Sequence, residues 1–435
     1  MVTQIDNRYF DVFPRIVRAG QKTTITVKPQ FDHCRFADDA AYQATVVPLQ
    51  GLTGQTRPQK PPEITVTPQN GMLHIPYHFE SEQEYALLIA PTSGDAIARV
   101  PEFRIYALQD DLFARSPYKG DLHMHSYRSD GRESPAYVAA ACRRIGLDFM
   151  AVTDHRLYAP SLEAIHAFEN IDIDLRIYPG EEVHPPENPV HIVNFGGQFS
   201  INELFTTQAY RAEVQAIEET LDHLPPDVDR YTLASCIWCF DKIRQADGLG
   251  IFCHPYWLWN HRYDVPAYLT TLLFERQPFD ALELIGGYHR FEIESNTLQV
   301  ARYHEERAQG KTIPIVGVSD AHGCERGELF GWFYTVVFAP STDLPDLICS
   351  IKDLYSVAVE ALPGEPARAF GPLRLVQYTQ FLLREVFPHH DELCKEEGRL
   401  MLAHLSGDEH AAEILPRYQG RCQTLRKHLM LALPS

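Results

Sequence analysis

Short runs of alternating apolar and polar side chains, separated by Gly, Pro and Asn, occupy the N-terminal part of the chain. They lie at residues 23–27, 63–67, 72–76 and 104–107. Alternation with a period of two predicts strands that bury one face. Several short strands at this spacing are typical of an antiparallel, immunoglobulin-like sandwich. We therefore predict an all-β sandwich over residues 1–112.

From Tyr118 onward, apolar runs of strand length alternate with helical patterns. Ser134 followed by Pro135 is a typical helix start, with a capping hydroxyl before a proline in the first turn. After the run that begins near Tyr118, further apolar runs lie at 149–152, 175–178, 190–195, 250–253, 281–285 and 313–318. About seven strands in alternation with helices predict a parallel α/β barrel, which we place at residues 113–362.

The C-terminal part of the chain is predicted to be helical. A helix and a short strand at 355–359 precede a Gly/Pro-rich break at 363–366, and three helical patterns then continue to Leu433. These patterns define a helical region over residues 363–435. His389 and His390 are expected in a loop between helices, as a solvated surface pair.

The composition and net charge of the chain indicate its class of protein and argue against some classes of binding partner. The 435 residues are 45% apolar and 22% charged, which indicates a soluble globular protein of two or three domains. The formal net charge of -19 argues against binding to long nucleic acid or to anionic membrane surfaces. No secretory signal or membrane span is visible. The nine cysteines predict reduced thiols in a cytoplasmic protein, and Cys236 and Cys239, a lone C-x-x-C, are not expected to be functional.

Ionisable residues recur where the apolar runs end. His123 and His125 are two residues apart, so on a strand both imidazoles point the same way, and Asp130 follows in the next loop. In a parallel barrel the C-terminal ends of the strands meet at one mouth, where the chemistry resides. His191 differs, because it comes early in its strand. The candidate metal ligands are His123, His125, Asp130, His155, Glu182, His191, His254, Asp320 and His322.

These motifs look like those of the polymerase-and-histidinol-phosphatase (PHP) family. The matching stretches, in order, are DLHMHS at 121–126, SDG at 129–131, TDH at 153–155, GEE at 180–182, HP at 254–255 and SDAH at 319–322. The resemblance covers roughly Tyr118 to Leu362 and implies a distorted (β/α)7 barrel that usually binds three divalent metal ions. Family members include histidinol phosphatase, polymerase-associated domains, 5'-nucleases and small-molecule phosphoesterases. A sandwich before the barrel is also similar to a branch of PHP-like enzymes that cleave carbamates and amides.

The resemblance also implies how the ligands are shared among three metals. His123, His125 and Asp320 would hold the first metal, Glu182 would bridge it to a second held by His191 and His254, and Asp130, His155 and His322 would hold the third. The family often has His where this chain has Asp130. Glu182 is preferred to Glu181 because the family's ligand is usually the second residue after the glycine. Asp154 is expected to orient a metal-bound imidazole from behind.

The charge of such a site favours an anionic substrate. Three divalent cations and the carboxylates of Asp130, Glu182 and Asp320 leave a formal charge of about +3, which favours a dianionic phosphate over a neutral ester. Clustered metals also lower the pKa of a bridging water, so that no protein nucleophile is needed. Arg156, like Arg128 and Arg326, could reach a phosphate. His184 or His289 could protonate the leaving group.

The leading hypothesis is a metal-dependent phosphoesterase that acts on a small anionic molecule or a short nucleotide. Two or three divalent ions of Zn, Mn or Fe would be its cofactors, because a mixed set of His and carboxylate ligands suits these metals. Hydrolysis of a carboxylic ester, carbamate or amide at the same metals is the alternative, and a non-catalytic binding module is a third. The substrate and the oligomeric state are not encoded in these motifs.

Overall fold

The computed structural model describes residues 7–51, 61–92, 102–221, 224, 228–289, 292–325 and 329–430. Contacts between Cα atoms divide the chain into two units. The first is Met1–Ser116 with Gln380–Pro388 and Gly420–Ser435, and the second is Pro117–Thr379 with His389–Gln419. The C-terminal helical region is therefore shared between the two units, and its definition as a separate region at residues 363–435 stays a prediction.

The first unit is built mainly from strands. Its elements are β1 (Phe10–Phe13), β2 (Ile16–Arg18), β3 (Gln21–Pro29), β4 (Tyr42–Pro48), β5 (Glu63–Val66), β6 (Leu73–Phe79), β7 (Gln83–Pro91), β8 (Phe103–Leu108) and the short helix α1 (Asp110–Phe113). One sheet has the order β1-β3-β6 and the other β2-β8-β7-β4-β5. All four strand runs predicted from alternation overlap these strands, with one residue outside at 67 and one at 72, and the immunoglobulin-like topology stays a prediction.

Alternation explains how these two sheets share a core. In β6, Leu73, Ile75 and Phe79 are buried, whereas Pro76 and His78 are exposed. The buried side chains of both sheets belong to one apolar cluster. Burying a side chain of this size contributes roughly 1.5–3 kcal/mol to the free energy of unfolding.

The second unit alternates strands and helices. Its elements are β9 (Ser116–Asp121), α2 (Pro135–Arg144), β10 (Phe149–Ala151), α3 (Ala159–His166), β11 (Arg176–Tyr178), β12 (Gly180–Val183), β13 (Ile192–Phe195), α4 (Ile201–Leu204), α5 (Gln208–Glu218), α6 (Arg230–Gln245), β14 (Leu249–Phe252), β15 (Leu258–Trp259), β16 (Arg262–Tyr263), α7 (Ala267–Arg276), β17 (Ala281–Ile285), α8 (Ile293–Ala308), β18 (Ile315–Gly317), β19 (Phe333–Ala339), α9 (Leu344–Lys352), β20 (Ser356–Glu360) and β21 (Arg368–Phe370). The C-terminal helices are α10 (Leu373–Glu385), α11 (Phe387–Leu405), α12 (Glu409–Ile414) and α13 (Arg421–Met430).

Two mixed sheets form the scaffold of this unit. One has the order β11-β10-β9-β19-β20-β21 and the other β12-β13-β14-β17-β18. The expectation of a purely parallel arrangement is wrong, because β13 is antiparallel to both of its neighbours and β19 is antiparallel to β20. The closed (β/α)7 barrel stays a prediction. Two parallel bridges join further segments of this unit: Met124 pairs with Ala321, and His155 pairs with Glu182 of β12.

The antiparallel direction of β13 accounts for the unusual position of His191. This residue directly precedes β13, whereas Glu182 lies near the C-terminal end of β12 and the other candidate ligands follow their strands. Because β13 runs opposite to β12 and β14, its beginning lies at the same edge as their C-terminal ends. A histidine at the start of this strand therefore joins side chains from the ends of its neighbours.

Several local predictions about helices can be compared with the structure. Ser134 caps α2, since its hydroxyl accepts a hydrogen bond from the Tyr137 amide at 3.3 Å. Cys236 and Cys239 are buried within α6, and burial raises the pKa of Cys236 to about 12 and that of Cys239 well above its ordinary value. Both thiols are therefore kept protonated and unreactive. No helix in the described ranges has the length and apolar composition of a membrane span.

The expected loop around His389 and His390 is wrong. Both residues belong to α11, and only His389 is exposed. His390 is buried, with Nε2 at 2.9 Å from Oδ1 of Asp148 and Nδ1 at 3.0 Å from Oδ1 of Asp391. Because Pro388 lies in the first turn of the helix, it does not interrupt the hydrogen bonding.

A buried ion pair in this unit gives a test of its packing. Arg143 is fully buried, and its Nε donates to Oε2 of Glu397 at 2.6 Å. We expect Glu397→Ala to lower the free energy of unfolding by about 3 kcal/mol, because the guanidinium loses a buried partner. Glu396→Ala is the control, since Glu396 pairs with Arg399 at the surface; its cost should be below about 1 kcal/mol. Equal midpoints in urea for both variants would contradict this account.

Candidate metal centre

His123 and His125 follow β9 and share one face of the chain. The Asp320 amide donates to the His123 carbonyl, and the His125 amide donates to the Ala321 carbonyl, both at 2.9 Å. These bonds hold the two segments side by side. Nε2 of His123 and Nε2 of His125 then lie 3.3 Å and 2.8 Å from Oδ1 of Asp320. The predicted same-face orientation agrees with this geometry.

Glu182 lies at the centre of the cluster, in β12. Its carboxylate is fully buried, and neither oxygen has a hydrogen-bond partner among the described residues. Six imidazoles surround it instead. Oε1 lies 2.9 Å from Nδ1 of His191, 3.4 Å from Nε2 of His254 and 3.7 Å from Nε2 of His123, while Oε2 contacts Nδ1 of His155 and lies 3.3 Å from Nε2 of His184 and 3.7 Å from Nε2 of His125. Burial acts to raise the pKa of Glu182, but His191 and His155 hold it well below its ordinary value.

Glu181 points to the opposite side of the same strand. Its carboxylate accepts hydrogen bonds at 2.8 Å from both the Ser200 hydroxyl and the Asn202 side-chain amide, and it also accepts from the Ile201 amide. Successive side chains of a strand face opposite sides, so only one of the two glutamates can face the imidazoles. The structure places Glu182 there and surrounds Glu181 with neutral donors.

A third group of candidate ligands lies at the mouth of the cluster. Nε2 of His155 is 3.4 Å from Oδ2 of Asp130, and Nε2 of His322 is 3.3 Å from Oδ1 of Asp130. Nδ1 of His322 donates to the Asp320 carbonyl at 2.8 Å, so Nε2 is the nitrogen that faces Asp130. Burial acts to raise the pKa of Asp130, but His155 and His322 hold it well below its ordinary value.

Glu283 is a site residue that the sequence motifs do not reveal. It is fully buried in β17, and its Oε2 lies 3.3 Å from Nδ1 of His123. A carboxylate at this nitrogen keeps the proton on Nδ1, so that the lone pair of Nε2 faces Asp320 and Glu182. The one available signal was a single acid within the otherwise apolar strand Ala281–Ile285.

The expectation that Asp154 orients an imidazole needs correction. Its carboxylate accepts hydrogen bonds from the amide of Ser126 at 2.8 Å and from the hydroxyls of Ser126 and Ser129 at 2.6 and 2.5 Å. No imidazole within the described ranges is hydrogen-bonded to it. Asp154 instead fixes the loop that connects His125 to Asp130, because both serines lie in that loop.

The other predicted catalytic residues are His184, His289 and Arg156, and they lie within the cluster or beside it. His184 is inside it, with Nε2 at 3.0 Å from Nδ1 of His155, and burial lowers the pKa of His184 to about 4. His289 is exposed and lines a cavity of about 260 Å³ that also contacts His191, His254 and Asp320. Arg156 is exposed beside His155, in an adjoining groove.

The two other arginines considered for phosphate binding are placed differently. Arg128 pairs with Glu163 at 2.9 Å on the surface, which agrees with a structural role. Arg326 lies outside the described residues.

Three residues of this region have left-handed backbone conformations. They are Arg156 with φ of 61°, His254 with φ of 22° and Asp320 with φ of 51°. Such angles cost roughly 1–3 kcal/mol each for residues other than glycine, and they are retained where surrounding contacts require them. Outliers at Asp320 and His254 indicate that the directions of these two side chains are imposed by the site.

The cluster fits divalent metal ions. Potential ligand atoms lie within 4.8 Å of one another in several groups, among them His123 with His125 and Asp320, His125 with Asp130, His155 and His322, and His155 with Glu182 and His184. Nε2 of His123, Nδ1 of His125, Nδ1 of His191 and both oxygens of Glu182 are buried without hydrogen bonds. Unsatisfied buried polar atoms are costly, and bound cations would provide these atoms with partners. Imidazole and carboxylate donors together suit Zn, Mn or Fe.

Comparison with known proteins gives limited matches. No protein-family model matches the chain. A segment of 57 residues is 44% identical to the DNA polymerase/3'-5' exonuclease PolX of Bacillus subtilis (strain 168), which covers 13% of this chain and 10% of that protein. The chain thus matches about a tenth of the length of this curated relative.

Solved structures provide further similarities. A two-domain protein of Bacteroides vulgatus that contains a predicted PHP-like metal-dependent phosphoesterase is 15% identical, with a TM-score of 0.37 over 56% of this chain and 65% of that one. A protein of Bifidobacterium adolescentis described as a metal-dependent phosphoesterase is 19% identical, with a TM-score of 0.33. The match covers 48% of this chain and 90% of that one. An amidohydrolase of Chromobacterium violaceum is 19% identical, with a TM-score of 0.30. The match covers 49% of this chain and 89% of that one.

The chain resembles PHP-like proteins. The assignment of roles to individual residues depends on the geometry of this chain.

The opposite orientations of Glu181 and Glu182 generate a test with a matched control. We expect Glu182→Gln to reduce the bound metal by at least one ion per chain, because the neutral amide replaces a central anionic donor. Glu181→Gln should retain the metal but lower the thermal midpoint, because an amide group would face the donors of Ser200 and Asn202. Elemental analysis after gel filtration measures the first effect and calorimetry the second. Metal loss in Glu181→Gln with full retention in Glu182→Gln would overturn the assignment.

Proposed function

We propose that this protein is a metal-dependent hydrolase, and specifically a phosphoesterase that acts on a small phosphorylated molecule. The observation that carries the proposal is the Glu182 carboxylate, buried without hydrogen bonds among six imidazoles. A buried anion without hydrogen bonds is stabilised by cations. Two or three divalent ions of Zn, Mn or Fe are the proposed cofactors.

The proposed ligand sets follow the three groups of side chains. His123, His125 and Asp320 would form the first, His191 and His254 the second, and Asp130, His155 and His322 the third, with Glu182 between the first two. His184 lies as close to Oε2 of Glu182 as His254 lies to Oε1, at 3.3 and 3.4 Å. It is therefore an additional candidate donor, which the motif resemblance does not imply.

The charge of the cluster supports an anionic substrate. Bound divalent ions would supply Lewis-acid stabilisation of phosphoryl oxygens and lower the pKa of water in the site. With three such ions, the carboxylates of Asp130, Glu182 and Asp320 leave a formal charge of about +3, and Glu283 behind His123 reduces it to about +2. A net positive cavity stabilises a dianion more than a neutral ester.

Side chains at the mouth would bind the substrate and transfer protons. His289 lines the cavity at its exposed side, so it can hold a proton near a departing alkoxide or phenoxide. His184 is neutral at pH 7, because burial lowers its pKa to about 4, and it suits acceptance of a proton or ligation better than donation. Arg156 is available to a second anionic group of the substrate.

The partners and location predicted from composition remain proposals. A small anionic substrate is favoured over long nucleic acid by the net charge of -19. None of the nine cysteines, all of which lie in the described ranges, forms a disulfide, which is compatible with the proposed cytoplasmic location.

The metal requirement can be tested at the first group of ligands. We expect His123→Ala to lose at least one metal ion per chain and to lower kcat by at least 100-fold, because its Nε2 would ligate the ion between Asp320 and Glu182. His166→Ala is the control, since His166 is an exposed histidine of α3. Plasma emission analysis and steady-state kinetics give the two readouts. Unchanged metal content in His123→Ala would contradict the assignment.

The class of substrate can be tested by relative turnover. We expect kcat/KM for a dianionic phosphate monoester to exceed that for a neutral carboxylic ester of the same leaving group by at least tenfold, which corresponds to about 1.4 kcal/mol of differential transition-state binding. 4-Nitrophenyl phosphate and 4-nitrophenyl acetate form a suitable pair, with the background hydrolysis of each ester subtracted. Faster cleavage of the neutral ester, or of an aryl carbamate, would favour the alternative hydrolase.

A further inference from the structure

An aromatic hairpin lies beside the candidate metal centre. Strands β15 and β16 pair in antiparallel fashion, with Leu258 opposite Tyr263 and Trp259 opposite Arg262. All four residues are exposed, and the three large apolar side chains are Trp259 at 56%, Leu258 at 44% and Tyr263 at 41%. Exposed apolar side chains concentrated in one short element mark a binding surface more often than isolated ones do.

Backbone hydrogen bonds connect the hairpin to His254, a candidate metal ligand. The Trp257 amide donates to the His254 carbonyl at 3.1 Å, and the Asp264 amide donates to the Trp257 carbonyl at 2.9 Å. Trp257 also lies with its ring centroid 6.1 Å from both His191 and His254. The position of the hairpin is therefore fixed relative to the metal centre.

A groove of about 450 Å³ runs from the cluster to the hairpin. Its lining residues are His155, Arg156, His184, His191, Trp257, Trp259 and Asp264. Three of them, His155, His191 and Trp257, also line the cavity that contains Asp130 and Asp320. The two spaces are thus adjacent parts of one mouth, and a single molecule can occupy both.

The groove has the chemistry of a site for a planar ring. The rings of Trp257 and Trp259 are 5.4 Å apart at an interplanar angle of 35°, and their indoles form an apolar wall. Indoles bind flat π-systems by stacking, without requiring a particular hydrogen-bond pattern. Arg156 adds a cation, and within the described part of the chain its guanidinium has no hydrogen bond or ion pair.

We propose that this groove binds a planar aromatic ring in the leaving group of the substrate, with Trp259 as its main specificity-determining residue. The inference rests on the proposed function, because it places the phosphate at the metal centre and the ring next to it. The observation that decides between a substrate ring and an unrelated ligand is the shared wall of His155, His191 and Trp257. A ring stacked on the indoles lies within one small molecule's reach of the metal centre.

Binding of two non-hydrolysable probes tests the groove directly. The metal-loaded protein is titrated by calorimetry with 1-naphthylmethylphosphonate and with methylphosphonate, which share the anionic group and differ in the ring. We expect the naphthyl compound to bind at least tenfold more tightly. Trp259→Ala should reduce this ratio by about tenfold, and Trp259→Phe should restore part of it, because phenylalanine retains a flat face.

A matched variant controls for the loss of any exposed aromatic side chain. Tyr268 in α7 is 42% exposed and does not line the groove. Tyr268→Ala should keep the wild-type affinity ratio. An equal ratio in Trp259→Ala and the wild type, or no preference for the naphthyl compound in the wild type, would overturn the proposal.

Kinetics then separate this inference from the proposed function. KM for 1-naphthyl phosphate and for glycerol phosphate is measured in the same variants, and Trp259→Ala should raise the first by a larger factor than the second. If the metal-loaded wild type cleaves neither phosphate, the proposed phosphoesterase function fails. The affinity ratio of the two phosphonates still decides whether the groove binds a ring.

Discussion

The arrangement of the second unit depends on one buried carboxylate. Glu182 has lost all contact with water, and both of its oxygens face imidazole nitrogens. An anion in such surroundings is stable only beside cations, either protonated imidazoles or metal ions. Metal ions would provide partners for more of the buried atoms than protonated imidazoles would. They would bind the lone pairs of surrounding histidine nitrogens that have no hydrogen bond. Segments from both mixed sheets must converge on this point to supply those histidines.

Local periodicity predicted that His123 and His125 share a face, whereas the choice of Glu182 over Glu181 came from the motif resemblance. A period of two places His123 and His125 together and separates Glu181 from Glu182, and both relations hold within a few residues of one strand. The direction of a neighbouring strand is not local information. The parallel arrangement was therefore predicted wrongly for β13, although His191 at its start was recognised as a candidate.

Contacts between residues far apart in the sequence were harder to predict. Glu283 meets His123 from a strand 160 positions away, and Asp148 meets His390 across 242 positions. The sequence shows only that an acid interrupts an apolar run and that two histidines adjoin a proline. Which partner each one finds depends on the packing of sheets and helices, so the contacts of Glu283, His390 and Asp154 had to be read from the structure.

The buried acids around the centre are distinguished by what their oxygens accept. Glu181 accepts from Ser200, Asn202 and a backbone amide, and Asp154 accepts from Ser126 and Ser129, all of which are neutral donors. A carboxylate whose lone pairs are already used in this way has little capacity left for a cation. Glu182 has no such donors. The same residue type thus serves two purposes in adjacent positions: the satisfied acids fix the loops, and the unsatisfied acid retains its lone pairs for cations.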